Sequence, residues 1–254
     1  MKKLVSAIAK KIPRLASVVR NVYYYWLPEI ETNLVEQLEL QIEKKNHDAF
    51  YFVQIGAHDG NYDDPIVQIR NRNPNWRGLL LEPQANVYRQ LSSNLKYPEK
   101  FKLLNKALSE HDGEQVIYEI SFSKKDWATG LASFRKESLV RSIQNGYVKQ
   151  MAETHGDKLP SDINDYISEH KVLTVSFRTL ISLCEKEPDC IVMDTEGFDF
   201  TIINRLLDNH LNPPIWWFEY SYMSIYELEK IIKRLKRLNY TIKRSQWDIF
   251  AYLS

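Results

Sequence analysis

Apolar residues fill Ala49-Phe50-Tyr51-Phe52-Val53-Gln54-Ile55 almost without a break, and the run stops at Gly56. A short run of this kind, rich in aromatic and branched side chains, predicts a strand buried on both faces, as in a parallel sheet. The same reading applies to Gly78-Leu79-Leu80-Leu81-Glu82, to Asp189-Cys190-Ile191-Val192-Met193-Asp194 and to Pro214-Ile215-Trp216-Trp217-Phe218-Glu219. Between these runs the period changes. Val87, Leu91 and Leu95 mark a helix over 85–96, Thr201 to Leu207 another, and Ser224 to Leu238 a strongly amphipathic one. Phe101 to Leu108 predicts a third strand, Glu114 to Ser121 a strand with one wet face, and Thr174 to Phe177 a short strand followed by a helix from Thr179 to Glu185. The chain closes with 240–244 and 248–253 around Ser245-Gln246-Trp247, the pattern of an antiparallel pair. Lys124 to Asp165 has little periodicity and is too long for a connection, so insertions are expected there, such as a lid or substrate region. Strands alternating with helices predict an α/β fold, a mostly parallel open sheet with helices on both faces. In such sheets ligands bind outside the carboxyl ends of the strands.

Two helical patterns come before the first strand. Leu34, Leu38, Leu40 and Ile42 predict an amphipathic helix that ends near Lys45. From Met1 to Pro28 every charge is positive, apolar residues recur at helical spacing, and Tyr23-Tyr24-Tyr25-Trp26 follow. This segment reads either as a helix packed on the domain or on a second subunit, or as a basic amphipathic helix on a membrane surface. Lys10, Lys11 and Pro13 interrupt any signal-peptide core. The division is therefore an N-terminal helical segment, 1–46, and a domain, 47–254. The expected location is the cytoplasm, with peripheral membrane contact through residues 1–28 as the alternative.

With 254 residues, 44% of them hydrophobic, the chain can bury one sizeable core. Its net charge of +1 argues against a nucleic-acid partner. Cys184 and Cys190 are read as reduced thiols, and no Cys/His spacing suggests zinc.

The chemistry collects where strands end. Gly56-Ala57-His58-Asp59-Gly60 follows the first strand with G-x-x-x-G spacing, not the G-x-G-x-x-G of a dinucleotide site. A carboxylate at Asp59 inside such a turn repels phosphate and favours a ligand carrying an ammonium or sulfonium charge. The plainer reading is a structural glycine turn. Glu82 ends the next strand roughly 20 residues further on, where an acid accepts hydrogen bonds from a ribose diol. Ala107 and Leu108 can face an adenine ring, or simply pack in the core. Asp194 and Glu196 are general-base candidates for removing a hydroxyl proton. The alternatives are a divalent cation on Asp194 and Glu219, and a helix-capping role for Glu196. His58 is a further candidate base. Trp127, Trp216, Trp217 and Tyr220 could stack on a sugar, and Thr129 to Phe134 could approach the substrate.

Taken in order, Ile55-Gly56-Ala57-His58-Asp59-Gly60, Leu81-Glu82-Pro83, Asn105-Lys106-Ala107-Leu108-Ser109 and Met193-Asp194-Thr195-Glu196-Gly197-Phe198-Asp199 resemble the FkbM family of S-adenosylmethionine-dependent methyltransferases. The resemblance covers about residues 50 to 254. It implies a Rossmann-like class I fold of seven strands with an antiparallel last strand. It also implies methyl transfer, most often to oxygen, on sugars or other hydroxylated metabolites. Gly56, Ala57, Asp59, Gly60 and Glu82 would hold S-adenosylmethionine, and Gln54, His58, Ala107 and Leu108 complete the expected cofactor set. Gln54 departs from the family's usual acid and Val192 from its usual lysine. These departures keep open a methyltransferase-like scaffold without chemistry. An NAD-dependent sugar-modifying enzyme is the other alternative, and the glycine spacing and Asp59 speak against it.

Overall fold

The computed structural model describes residues 33–45 and 49–253. The basic segment 1–28 therefore lies outside the described residues. In chain order the elements are α1 (Leu34–Lys45), β1 (Tyr51–Ile55), α2 (Val67–Arg72), β2 (Arg77–Leu81), α3 (Ala85–Asn94), β3 (Phe101–Leu104), β4 (Ala107–Ser109) and β5 (Gly113–Ile120). There follow α4 (Asp126–Thr129), α5 (Lys136–Gln144), α6 (Tyr147–His155), β6 (Ile167–Ser176), α7 (Phe177–Leu183) and β7 (Cys190–Met193). The chain ends with α8 (Asp199–Asp208), β8 (Ile215–Glu219), α9 (Ile225–Arg237), β9 (Tyr240–Arg244) and β10 (Asp248–Leu253).

Seven strands form one sheet in the order β3-β2-β1-β7-β8-β10-β9. All neighbours from β3 to β8 run parallel, and β10 runs antiparallel to both β8 and β9. This is the Rossmann-like class I arrangement, with the final strand inserted antiparallel inside the sheet edge. Strand alternation divides the core into two layers. Tyr51, Val53 and Ile55 face a cluster built with α7, α8 and α9, while Phe52 and Phe50 face one built with α1, α2 and α3. Trp76 fixes the second layer, its ring centroid 4.5 Å from that of Phe50 and 6.0 Å from that of Phe52.

The run 101–108 is two strands, not one. Asn105 Nδ2 donates to the carbonyls of Glu82 (2.8 Å) and Pro83 (3.0 Å), which turns the chain out of the sheet. β4 then joins β6 and β5 in a separate three-stranded sheet. The strand expected at 174–177 is the end of the ten-residue β6. Its first half is polar and exposed, and it is held by antiparallel pairing with β5, which an apolar pattern does not report. Helix α2, with Ile69 and Arg70 buried, was not visible as a period. The aperiodic stretch after Lys124 holds α4, α5 and α6 around a small core of Ile120, Trp127, Leu139, Val148 and Ala152. Both cysteines are free. Among the described residues no helix is long and apolar enough to cross a membrane.

Candidate active site

The loop after β1 is shaped by its neighbours in the protein. Gly56 has φ +79°, and a Cβ there would overlap the carbonyl oxygen of Asp194. The glycine is thus needed for the close approach of two strand ends, not of a ligand. The N–H groups of Gly56 and Ala57 both donate to Leu81 O, at 3.0 and 2.9 Å. Gly60, at φ +76°, packs its backbone against Leu91, where an added Cβ would meet Cδ1 at 2.7 Å.

Asp59 departs from its expected place. Its Oδ1 accepts the N–H groups of Asn61 (2.9 Å) and Tyr62 (2.7 Å), and Oδ2 lies 3.3 Å from Asn94 Nδ2. Burial would raise its pKa, but these backbone donors and the neighbouring His58 outweigh it and hold the carboxyl below its ordinary value. The carboxylate folds the loop. Neither Asp59 nor Gly60 lines the cavity beside it, whereas Tyr62, Asp63 and Asp64 do. Asp64 in turn pairs at 2.8 Å with the buried Arg70, which also donates to Gly60 O at 2.6 Å. Sequence reading missed this buried pair because Arg70 looks like an ordinary polar helix residue.

A cavity of about 810 Å³ opens outside the carboxyl ends of β1, β2, β7 and β8. Gln54, Gly56, Ala57, His58, Glu82, Ala107 and Leu108 line one side of it. Glu82 is 3% exposed; its oxygens accept N–H groups from His58 (3.1 Å) and Gln84 (2.8 Å). Burial nevertheless pushes its pKa up to about 7. Ala107 and Leu108 are both core and cavity wall. Gln54 is also buried, and its amide oxygen has no partner among the described residues.

Across the cavity stands a group of acids. Met193 pairs with Phe218, so the next residues, Asp194 and Glu219, leave adjacent parallel strands at one level, and Asp248 faces Glu219 from β10. Glu196 has φ +52°, sparsely populated for a non-glycine residue, and Gly197 follows at +103°. This turn brings carboxylate oxygens of Asp194, Glu196 and Glu219 within 4.8 Å of one another. Phe198, not Glu196, precedes the first turn of α8, and no side chain caps that helix. Asp194 opens onto the cavity, yet the surrounding protein and nearby Asp63 raise its pKa. Burial, then Asp194, raises Glu196 well above the usual carboxylate range, and burial with both neighbours pushes Glu219 up to about 12. Asp199 and Asp248 are raised to about 7, first by burial and then by Asp194. Raised carboxyls gathered in a cleft are a mark of functional sites.

The insertion forms the remaining wall. Thr129 is held twice, its hydroxyl 2.8 Å from His58 Nε2 and its carbonyl accepting Gln84 Nε2 at 2.8 Å. His58 Nδ1 lies 3.4 Å from Asp59 Oδ1, so both ring nitrogens are engaged within the protein. Ser133 Oγ donates to Glu196 O at 2.8 Å, joining the insertion to the acidic turn. Of the aromatic candidates only Trp217 reaches the cavity; Trp127, Trp216 and Tyr220 are core. The aromatic rim consists instead of Trp247 (53% exposed), Tyr147 (39%) and Tyr62 (37%). Trp247 lies in the terminal turn, where sequence reading saw only a connection.

No curated protein matches the chain. Among solved structures it is similar to precorrin-6y C5,15-methyltransferase from Geobacter metallireducens GS-15, at 14% identity, 81% of each chain covered and TM-score 0.39. It is similar to a human methyltransferase 10 domain containing protein, at 9% identity, 89% of this chain and 85% of that one covered and TM-score 0.41. A third is an O-methyltransferase from Bacillus cereus in complex with SAH, at 11% identity, 99% and 97% covered and TM-score 0.39. The methyltransferase FkbM domain matches residues 54–242, from the end of β1 into β9 and so across every acid of the cavity but Asp248. The chain belongs to the FkbM methyltransferase family.

Proposed function

We propose that this methyltransferase takes its methyl group from S-adenosylmethionine and transfers it to a hydroxyl of a sugar or similar hydroxylated acceptor. The observation that carries this reading is the division of one cavity into two chemically distinct walls. On one wall Glu82 ends β2 beside the loop of Gly56, Ala57 and His58, and Ala107 and Leu108 offer an apolar surface. That donor set fits a nucleoside: the carboxylate suits a ribose diol and the apolar wall an adenine face. On the other wall stand Asp194, Glu196 and Glu219, beneath a rim of Trp247, Tyr147 and Tyr62. Exposed aromatic rings with polar tips suit the apolar faces of a sugar, and carboxylates suit its hydroxyls.

The bound cofactor supplies an electrophilic methyl group. The chain's own residues do the rest. The acidic wall receives the acceptor's hydroxyl proton, and the clamped segment Thr129 to Phe134 keeps bulk water from one side of the cavity. Calorimetry on the full chain with S-adenosylmethionine, S-adenosylhomocysteine and NAD tests the first half of this reading. We expect binding of the two adenosyl compounds and none of NAD. Glu82→Ala should weaken binding at least tenfold, consistent with loss of charge-assisted hydrogen bonds worth about 1.5–3 kcal/mol. Binding of NAD alone would overturn the proposal.

A further inference from the structure

We propose that Asp194, Glu196 and Glu219 form a divalent-cation site on the acceptor side of the cavity. The inference deepens the reading above, since the cation would act on the acceptor hydroxyl. Three observations carry it. Carboxylate oxygens from three separate positions lie within 4.8 Å of one another, close enough together to share one metal ion. No described lysine or arginine forms an ion pair with any of the three. Glu196 Oε2 and Glu219 Oε2 are buried without a donor. Gathered acids without a counter-charge, two of them with a buried unpartnered oxygen, are costly, so a resident cation explains their being held together.

A further observation comes from outside the cluster. Strand register sets Gln54, Val192 and Trp217 in one row across β1, β7 and β8. By alternation the side chains of Asp194 and Glu219 emerge from the same face, one pleat further on. Val192 and Trp217 bring no charge to that row. Gln54, 3% exposed, lines the same cavity with its amide oxygen unpartnered. A further oxygen acceptor on this face suits a hard cation, or a water bound to one. A cation here would lower the pKa of a hydroxyl bound to it, and the proton released passes to a carboxylate oxygen of the same acidic wall that does not face the ion.

The test uses manganese(II) as probe on the full chain without cofactor, with free manganese followed by electron paramagnetic resonance. We expect one site per chain, displaced by magnesium, and at least tenfold weaker in Glu219→Gln and in Asp194→Asn. Circular dichroism confirms that each variant is folded. Glu82→Ala should bind manganese like the parent chain. Absence of manganese binding, or equal binding by both carboxyl variants, overturns the proposal. Calorimetry with S-adenosylhomocysteine in EDTA reads the nucleoside side separately. A chain that binds S-adenosylhomocysteine but no manganese therefore loses this inference alone.

Discussion

At the scale of single residues, the site rests on a few positions whose tolerance is set by neighbours distant in sequence. Gly56 is the clearest. Any Cβ there would run into the Asp194 carbonyl, and the backbone is already at positive φ. Gly56→Ala should lose about 3 kcal/mol or more of stability, beyond the usual cost of alanine at positive φ, as read by urea unfolding. A loss under about 0.5 kcal/mol would mean that the two strand ends separate freely. Glu82 makes a second prediction. Its pKa in the fold, about 7, lies above the usual 4.5, so the protonated form is favoured by folding. Its contribution is fully present below pH 4.5 and is lost as pH rises through about 7. The apo chain should therefore gain stability between pH 8 and pH 5, by an amount on the order of 3 kcal/mol from this group. Asp199 and Asp248, also raised to about 7, act in the same direction. The pH slope of the urea midpoint should flatten in Glu82→Gln; an unchanged slope would remove Glu82 from the account. Much of this is hidden from the sequence. Asp59 looks like a ligand group, but its carboxylate is consumed by the backbone of its own loop.

Elements place these residues, and the element most in need of fastening is the insertion. Thr129 is the point where His58 and Gln84 both hold it to the β1 and β2 loops. His58→Ala should leave that end loose, speed proteolysis within 124–135, and raise KM for the methyl donor more than it lowers kcat. A pure kcat loss with unchanged proteolysis would instead make His58 a proton-transfer group. The buried Asp64–Arg70 pair fastens the other side of the loop. Removing one partner leaves an uncompensated charge, so Arg70→Ala should cost about 3–5 kcal/mol in thermal unfolding. The helical periods of α3, α8 and α9 were plain in the sequence because one face of each packs on a sheet. The split between β3 and β4 was not, because Asn105 turns the chain by bonding carbonyls that arrive from another strand.

For the molecule as a whole, the parallel sheet carries every acid of the site to one edge, and the antiparallel β10 adds Asp248 and the rim residue Trp247 from the far end of the chain. Trp247→Ala should raise KM for the acceptor several-fold with little change in binding of S-adenosylhomocysteine. Asp194→Asn should lower kcat by about 10²–10⁴, the range of a lost proton-transfer group. Retention of full activity by Asp194→Asn would move the proton to another residue. By itself the sequence determined the alternation of buried strands and helices, and hence the sheet and the edge where ligands bind. It also determined that Glu82, Asp194 and Glu219 stand at strand ends, since a strand end is a local property of the apolar run. The tertiary structure decided which of these acids meet, why position 56 must be glycine, and where the Asp59 carboxylate goes. Those depend on the register between strands more than a hundred residues apart and on the dihedral angles of two loops, and neither is encoded in any single stretch of the chain.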